Sequence, residues 1–139
     1  MTDLDQQLDA WAPGEGAVEV SGEGRSASID VVDVDRLGVR VRDVRVRHDA
    51  PRDVVAEAGA LPDRCRSLPG RIEAQEVAPT LGGAILRTPA DRMRHGRFFE
   101  VEVQTDHTRV RRYEVANGER HPADWTMTRE QLDELLHEL

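Results

Sequence analysis

The sequence predicts an α+β fold: a mostly antiparallel sheet of about six to seven strands with an N-terminal, a middle and a C-terminal helix packed on it. Three observations predict it. Valine-rich runs with a two-residue alternation are joined by links of hairpin length, which indicates antiparallel neighbours. Segments with helical apolar spacing stand at both ends and in the middle. The 139 residues contain no linker, low-complexity tract or convincing repeat, so 1–139 is expected to form one domain around one core.

The elements follow in order. Thr2 is a candidate cap for a helix in which Leu4, Leu8 and Trp11 share a face, ended by Pro13 and Gly14. "PGEGAVEVSGEG" places turn glycines around a brief Val18–Val20 strand; it lacks a Gly-Lys-Ser/Thr ending, and its acids would repel phosphate. "SASIDVVDV" and "GVRVRDVRVR" read as a hairpin turning at Asp35–Gly38. Val39 and Val41 are out of phase with Val44 and Val46, so one buried face requires a bulge near Arg42 and Asp43. The consecutive Val31 and Val32 require another in the first strand. "DAPRDVVAEAGALP" reads as a helix with Asp49 as a possible cap, terminated by Gly59 and Pro62. "RIEAQEVAPTLGGAILRT" gives two strands broken at Pro79–Gly83, and "RFFEVEVQTDHTRVRRYEV" a second hairpin turning near Thr105–Thr108. The last helix carries the fullest signature: Thr128 as cap, Gln131 as capping-box partner, a Met127–Leu132 staple, and a stripe of Leu132, Leu135, Leu136 and Leu139.

Charge narrows the partners. The net charge is -8, and all 19 basic residues are arginine, which reads as codon composition. The acidic balance argues against a nucleic-acid or anionic-membrane partner. Acids concentrate in residues 1–35 and 113–139, at net -8 and -5, around a basic middle. In the first hairpin, Asp30, Asp33 and Asp35 are expected to face Arg40, Arg42, Arg45 and Arg47. That arrangement reads as a solvated ion-pair ladder, with an arginine face for an anionic partner as the alternative. No apolar run approaches membrane-spanning length and the acidic start does not resemble a secretion signal, so a cytoplasmic location is expected.

"DRCRSLPGR" holds the only cysteine, Cys65, with Arg71 at the spacing of a cysteine phosphatase loop. The match fails on three counts: Pro69 removes an amide donor, a helix end precedes Cys65, and a strand-like run follows Arg71. What survives is a thiol activated by Arg64 and Arg66, or an ordinary semi-buried cysteine. His48, His95, His107, His121 and His137 have no metal-face spacing, and Ser21, Ser26, Ser28 and Ser67 lack a nucleophile-elbow context. No cofactor motif is present. The most suggestive stretch is "LRTPADRMRHGRFFEVEV". Arg92, Arg94, His95 and Arg97 occupy a loop between two strands, where arginine forks suit a carboxylate or phosphate. Phe98 and Phe99 are adjacent, so one is expected in the core and the other outside or over a pocket.

A small acidic chain reading helix, three strands, helix, four strands, helix resembles the plan of type III secretion chaperones, although four strands exceed that family's usual number. The resemblance implies a cytoplasmic homodimer that binds extended segments of exported partners. Two functions are therefore expected. The first is a non-enzymatic protein-interaction domain, adaptor or chaperone-like, that pairs with itself and with another protein. The alternative is a small-molecule or anion-binding domain, possibly an enzyme, with Arg92, Arg94, His95 and Arg97 at the mouth of a pocket beneath residues 88–97.

Overall fold

The computed structural model describes residues 3–78, 82–89 and 96–139. Its first half runs α1 (Leu4–Ala10), β1 (Ala17–Gly22), β2 (Arg25–Val34), β3 (Gly38–His48) and α2 (Val54–Arg64). Its second half runs β4 (Glu73–Ala78), β5 (Gly83–Arg87), β6 (Phe98–Gln104), β7 (His107–Ala116), β8 (Glu119–Ala123), β9 (Trp125–Thr128) and α3 (Arg129–Glu138). The sheet is antiparallel, in the order β1-β2-β3-β7-β6-β5-β4, with β8 added on β7 and β9 on β3. Among the described residues it has nine strands, not six or seven. The two additional ones are short: β8 is polar, and β9 alternates Trp125 and Met127 with threonines over only four residues.

One face of the sheet is apolar because two bulges make it so. Asp30 pairs with Asp43 and Val31 with Val41, leaving Arg42 over; Asp33 pairs with Arg40, leaving Val32 over. Each extra residue restores the phase, so Val39, Val41, Val44 and Val46 are all fully buried beside Ile29 and Val31. Burying one such side chain contributes roughly 1.5–3 kcal/mol. Val101 and Val103 of β6 and Val110 of β7 continue this face. The helices cover it: α1 lies on β1, α2 on β4, β5 and β6, and α3 on β3 and β9. Leu132, Leu135, Leu136 and Leu139 are buried there, and Thr128 and Gln131 close a reciprocal capping box.

Two helix boundaries depart from expectation. Asp53 caps α2, its side chain accepting from the Val55 and Ala56 amides, so Asp49 does not. The helix also passes through Gly59 and Pro62 to Arg64. Pro62 removes one amide donor in the final turn, and the burial of Leu61 and Cys65 on either side offsets that loss. At α1 the cap position is Asp3; Thr2 lies outside the described residues.

The sheet forks at its centre. β3 pairs with β7 along Asp43–Arg47, but beyond the Arg42 bulge its partner becomes β9, while β7 continues onto β8. Between β8 and β9 the chain crosses from one arm to the other at Asp124. Arg42 of β3 donates to the Asp124 carboxylate at 3.0 Å, and Arg112 of β7 to its carbonyl at 3.3 Å, so both arms hold the crossing point.

The outer face carries an ion-pair ladder, and of the expected β2–β3 facings only Asp33 opposite Arg40 is present. Register places Asp30 opposite Asp43, Ser28 opposite Arg45 and Ser26 opposite Arg47. Asp35 is turned to the hairpin tip, accepting from the Leu37 and Gly38 amides at 2.9 and 2.6 Å. The ladder runs across β3, β7, β6 and β5 instead: Asp43 with Arg109, Glu102 with Arg111 at 3.5 Å, and buried Glu100 with both Arg87 and Arg120 at 2.9 and 2.8 Å. The bulges set the register, so pairing by position along two strands misassigns the partners.

Candidate functional site

Of the residues singled out in the arginine-rich stretch, Arg97 is described; Arg92, Arg94 and His95 lie outside the described residues. A cavity of about 630 Å³ opens beside Thr88, Pro89 and Arg97, the described flanks of that stretch. It sits on the helix-covered side of the fork. Its floor is apolar and deeply buried: Phe99 from β6, Trp125 and Met127 from β9, and Leu68 from the loop after α2. Its polar wall is Arg66, Arg97 and Arg112, with Gln131 and Glu134 contributed by α3.

Each part is positioned by the fold around it. Thr88 is buried and tied to Phe99 in both directions, its amide donating to the Phe99 carbonyl at 3.0 Å and its hydroxyl accepting from the Phe99 amide at 2.9 Å. This fixes the β5 end against β6 and turns Phe99 inward, while Phe98 lies on the opposite face beneath the Arg87 guanidinium. Phe99 meets Trp125 edge-on, with centroids 5.2 Å apart at 89°, and the Arg112 guanidinium lies 5.5 Å from the Phe99 centroid. Arg97 pairs with Glu114 at 3.5 Å, and Arg66 donates to the Asp63 carbonyl at 3.1 Å. The indole nitrogen of Trp125 is buried and has no acceptor among the described residues.

The cysteine loop has another role. Burial raises the Cys65 thiol to about 12, with the Glu138 carboxylate adding to the rise and Arg64 opposing it. Thus Arg64 and Arg66 do not activate the thiol, and the activated-cysteine expectation is corrected. The Arg66 and Ser67 amides, which a phosphatase loop would turn toward phosphate, both donate to Glu138 at 3.1 Å. The loop clasps a carboxylate of its own chain. Arg64 is likewise engaged, donating to Glu57 and to the Glu138 carbonyl.

Glu138 belongs to a closed end of the molecule. Arg25 donates to the Leu136 and His137 carbonyls, Arg64 to that of Glu138, and Arg52 to that of Leu139, where the His48 ring also lies 3.1 Å away. These are the carbonyls a helix leaves unpaired at its C-terminus, and three cations meet them with their dipole. Burial and the charges of Arg52 and Arg25 hold His48 below its ordinary value, so it is neutral near pH 7. Glu57, facing Arg52, Arg64 and His48, is opposed by burial yet held below the usual carboxylate value by Arg64 and then Arg52.

Among the described residues no three His, Cys, Asp or Glu side chains gather as for a metal ion. None of the described helices is long and apolar enough to cross a membrane. No protein-family model, curated protein or solved structure matches this chain.

Proposed function

We propose that this chain is a binding domain whose site is the cavity beside Thr88, Pro89 and Arg97 and whose ligand is a small anion. The observation that carries this reading is local charge: in a protein of net charge -8, three of the cavity's lining residues are arginines set over an aromatic floor. Its size lies within the roughly 300–1,000 Å³ of small-molecule sites, and apolar floors with a few convergent polar groups are what such sites use. Thermal unfolding with carboxylates and phosphate tests this reading. A saturable rise in the midpoint, lost in Arg97→Ala, is the expected result; no rise with any anion sinks the proposal.

A second reading, favoured by one observation, is the protein-interaction domain, adaptor or chaperone-like. Leu37, at the tip of the β2–β3 hairpin, is 76% exposed. An apolar side chain held out on a rigid hairpin suits a contact with a second copy or another protein. Native mass spectrometry of the wild type and Leu37→Ser separates the two cases. A dimer that the substitution dissociates supports this reading, and a monomer in both removes Leu37 from it.

A further inference from the structure

We infer that the outer face of β1–β3 holds a second site, whose ligand is a small zwitterion carrying an ammonium and a carboxylate. It shares no residue with the cavity beside Arg97. A hollow of about 410 Å³ lies there, on the face opposite the buried Val44 and Val46. Its lining among the described residues comes wholly from these three strands, which are described from end to end. Register explains why a hollow forms. Ala17 stands opposite Asp30, Glu19 opposite Ser28, and Ser28 and Ser26 opposite Arg45 and Arg47. The small side chains make a low floor, and the long charged ones stand around it.

Two like-charge pairings of opposite sign set the ligand's chemistry. Asp30 stands directly opposite Asp43, and Arg45 directly opposite Arg109 of β7, facings that are unfavourable in a sheet. The Asp43–Arg109 bridge runs diagonally and uses one member of each. It leaves Asp30 and Arg45, which make no hydrogen bond or ion pair among the described residues. Both are half-buried, so each gives up part of its hydration without a partner. Diagonal neighbours of this kind stand about 7–8 Å apart, a span that one small molecule bridges. An ammonium at Asp30 and a carboxylate on the Arg45 fork, with exposed Arg47 beside it, supply both missing partners. A lone anion would leave Asp30 unpaired, and a lone cation would leave Arg45. Glu19 is engaged, accepting from the Ser28 hydroxyl at 2.9 Å. The lining includes no aromatic side chain among the described residues, so a quaternary ammonium finds no ring face there.

Backbone amide NMR on the full chain tests this, because each shift belongs to one residue. The probes are glycine and β-alanine, with acetate and methylammonium as their single-charge halves, all at constant ionic strength. The expected result is saturable shifts at residues 26–30 and 43–47 with at least one zwitterion, and at least tenfold weaker affinity for acetate and for methylammonium. Arg45→Ala and Asp30→Asn should each weaken zwitterion binding at least tenfold, while unchanged shifts in β6 and α3 show that both variants fold. Acetate binding as tightly as the zwitterions overturns the inference in favour of a plain anion site. Methylammonium binding as tightly overturns the carboxylate half. Undiminished binding in either variant, or no saturable shift at these residues with either zwitterion, overturns it outright. The amides of Phe99 and Trp125 report on the other cavity, so the two sites fail independently.

Discussion

Two trios of arginines stand at different parts of this molecule, and their surroundings make them different objects. Arg25, Arg52 and Arg64 converge on the last turn of α3, each donating to one or more of its backbone carbonyls. Arg66, Arg97 and Arg112 border a cavity, where Arg66 donates to the Asp63 carbonyl, Arg112 to the Asp124 carbonyl, and Arg97 pairs with Glu114. The first trio completes a helix terminus, where unpaired carbonyls and the dipole already attract cations. The second lines the cavity wall beside Thr88 and Pro89. An arginine count cannot tell these roles apart; the destination of the guanidinium donors can.

The contrast can be broken at several points. The largest expected effect is on Cys65, beside the closed end. A thiol raised from 9.0 to about 12 carries about a thousandfold less thiolate at a given pH. Labelling with a maleimide at pH 7.5 should be slower than for a model thiol by about that factor, and should recover in urea. A native rate close to the model thiol means that this end is open. Next, Leu136→Ala, in the capped turn, should cost about 2–5 kcal/mol in urea denaturation. Arg52→Ala should cost about 2 kcal/mol, because it takes the guanidinium donor from the buried Thr108 hydroxyl and one of two partners each from Glu57 and the Leu139 carbonyl.

Acid should act on the same end. His48 has a folded value below its ordinary 6.5, so the folded form takes up fewer protons than the unfolded chain as pH falls past 6.5. The stability contribution is complete above 6.5 and declines between that value and the folded one. The groups facing it, Arg25, Arg52 and Glu57, keep their charge across this window; Glu57 adds its own loss only below 4.5. Denaturation midpoints at pH 7.5 and 5.5 should therefore differ in the wild type and converge in His48→Gln. The smallest effect sharpens the comparison from the other side. Arg97→Ala should change stability by no more than about 0.5 kcal/mol, since a pair more than a third exposed on both sides contributes little. A loss as large as that of Arg52→Ala would make the cavity arginines structural too.

The parts legible in the sequence were those governed by phase. Two valines out of step with two others require a bulge in β3, and Arg42 is the residue left over. The α3 capping box was legible because all its participants are three or four positions apart. β8 was missed because "ERHPA" contains Pro122 and no apolar alternation. Asn117–Gly118, both with positive φ, was the available sign of the hairpin joining it to β7. The cavity was legible only at Arg97. Arg66 drew attention for the thiol beside it, and Arg112 read as part of a strand. Their convergence depends on a fork in the sheet that no local pattern encodes.

That fork also constrains the order of assembly. β2 and β3 are adjacent in the chain and can zip from their turn in microseconds, whereas β3 must wait for residues 107–111 and 125–128 to complete its other edge. Pairing across such sequence separations carries a loop-closure cost before any contact repays it, which places folding toward the millisecond-to-second range of β-rich domains. The Asp124 crossing, gripped by Arg42 and Arg112, can be fastened only when both arms exist. The cavity beside it is thus among the last parts of the molecule to take shape, and a chain stalled before that step would already own its valine hairpin but not this cavity.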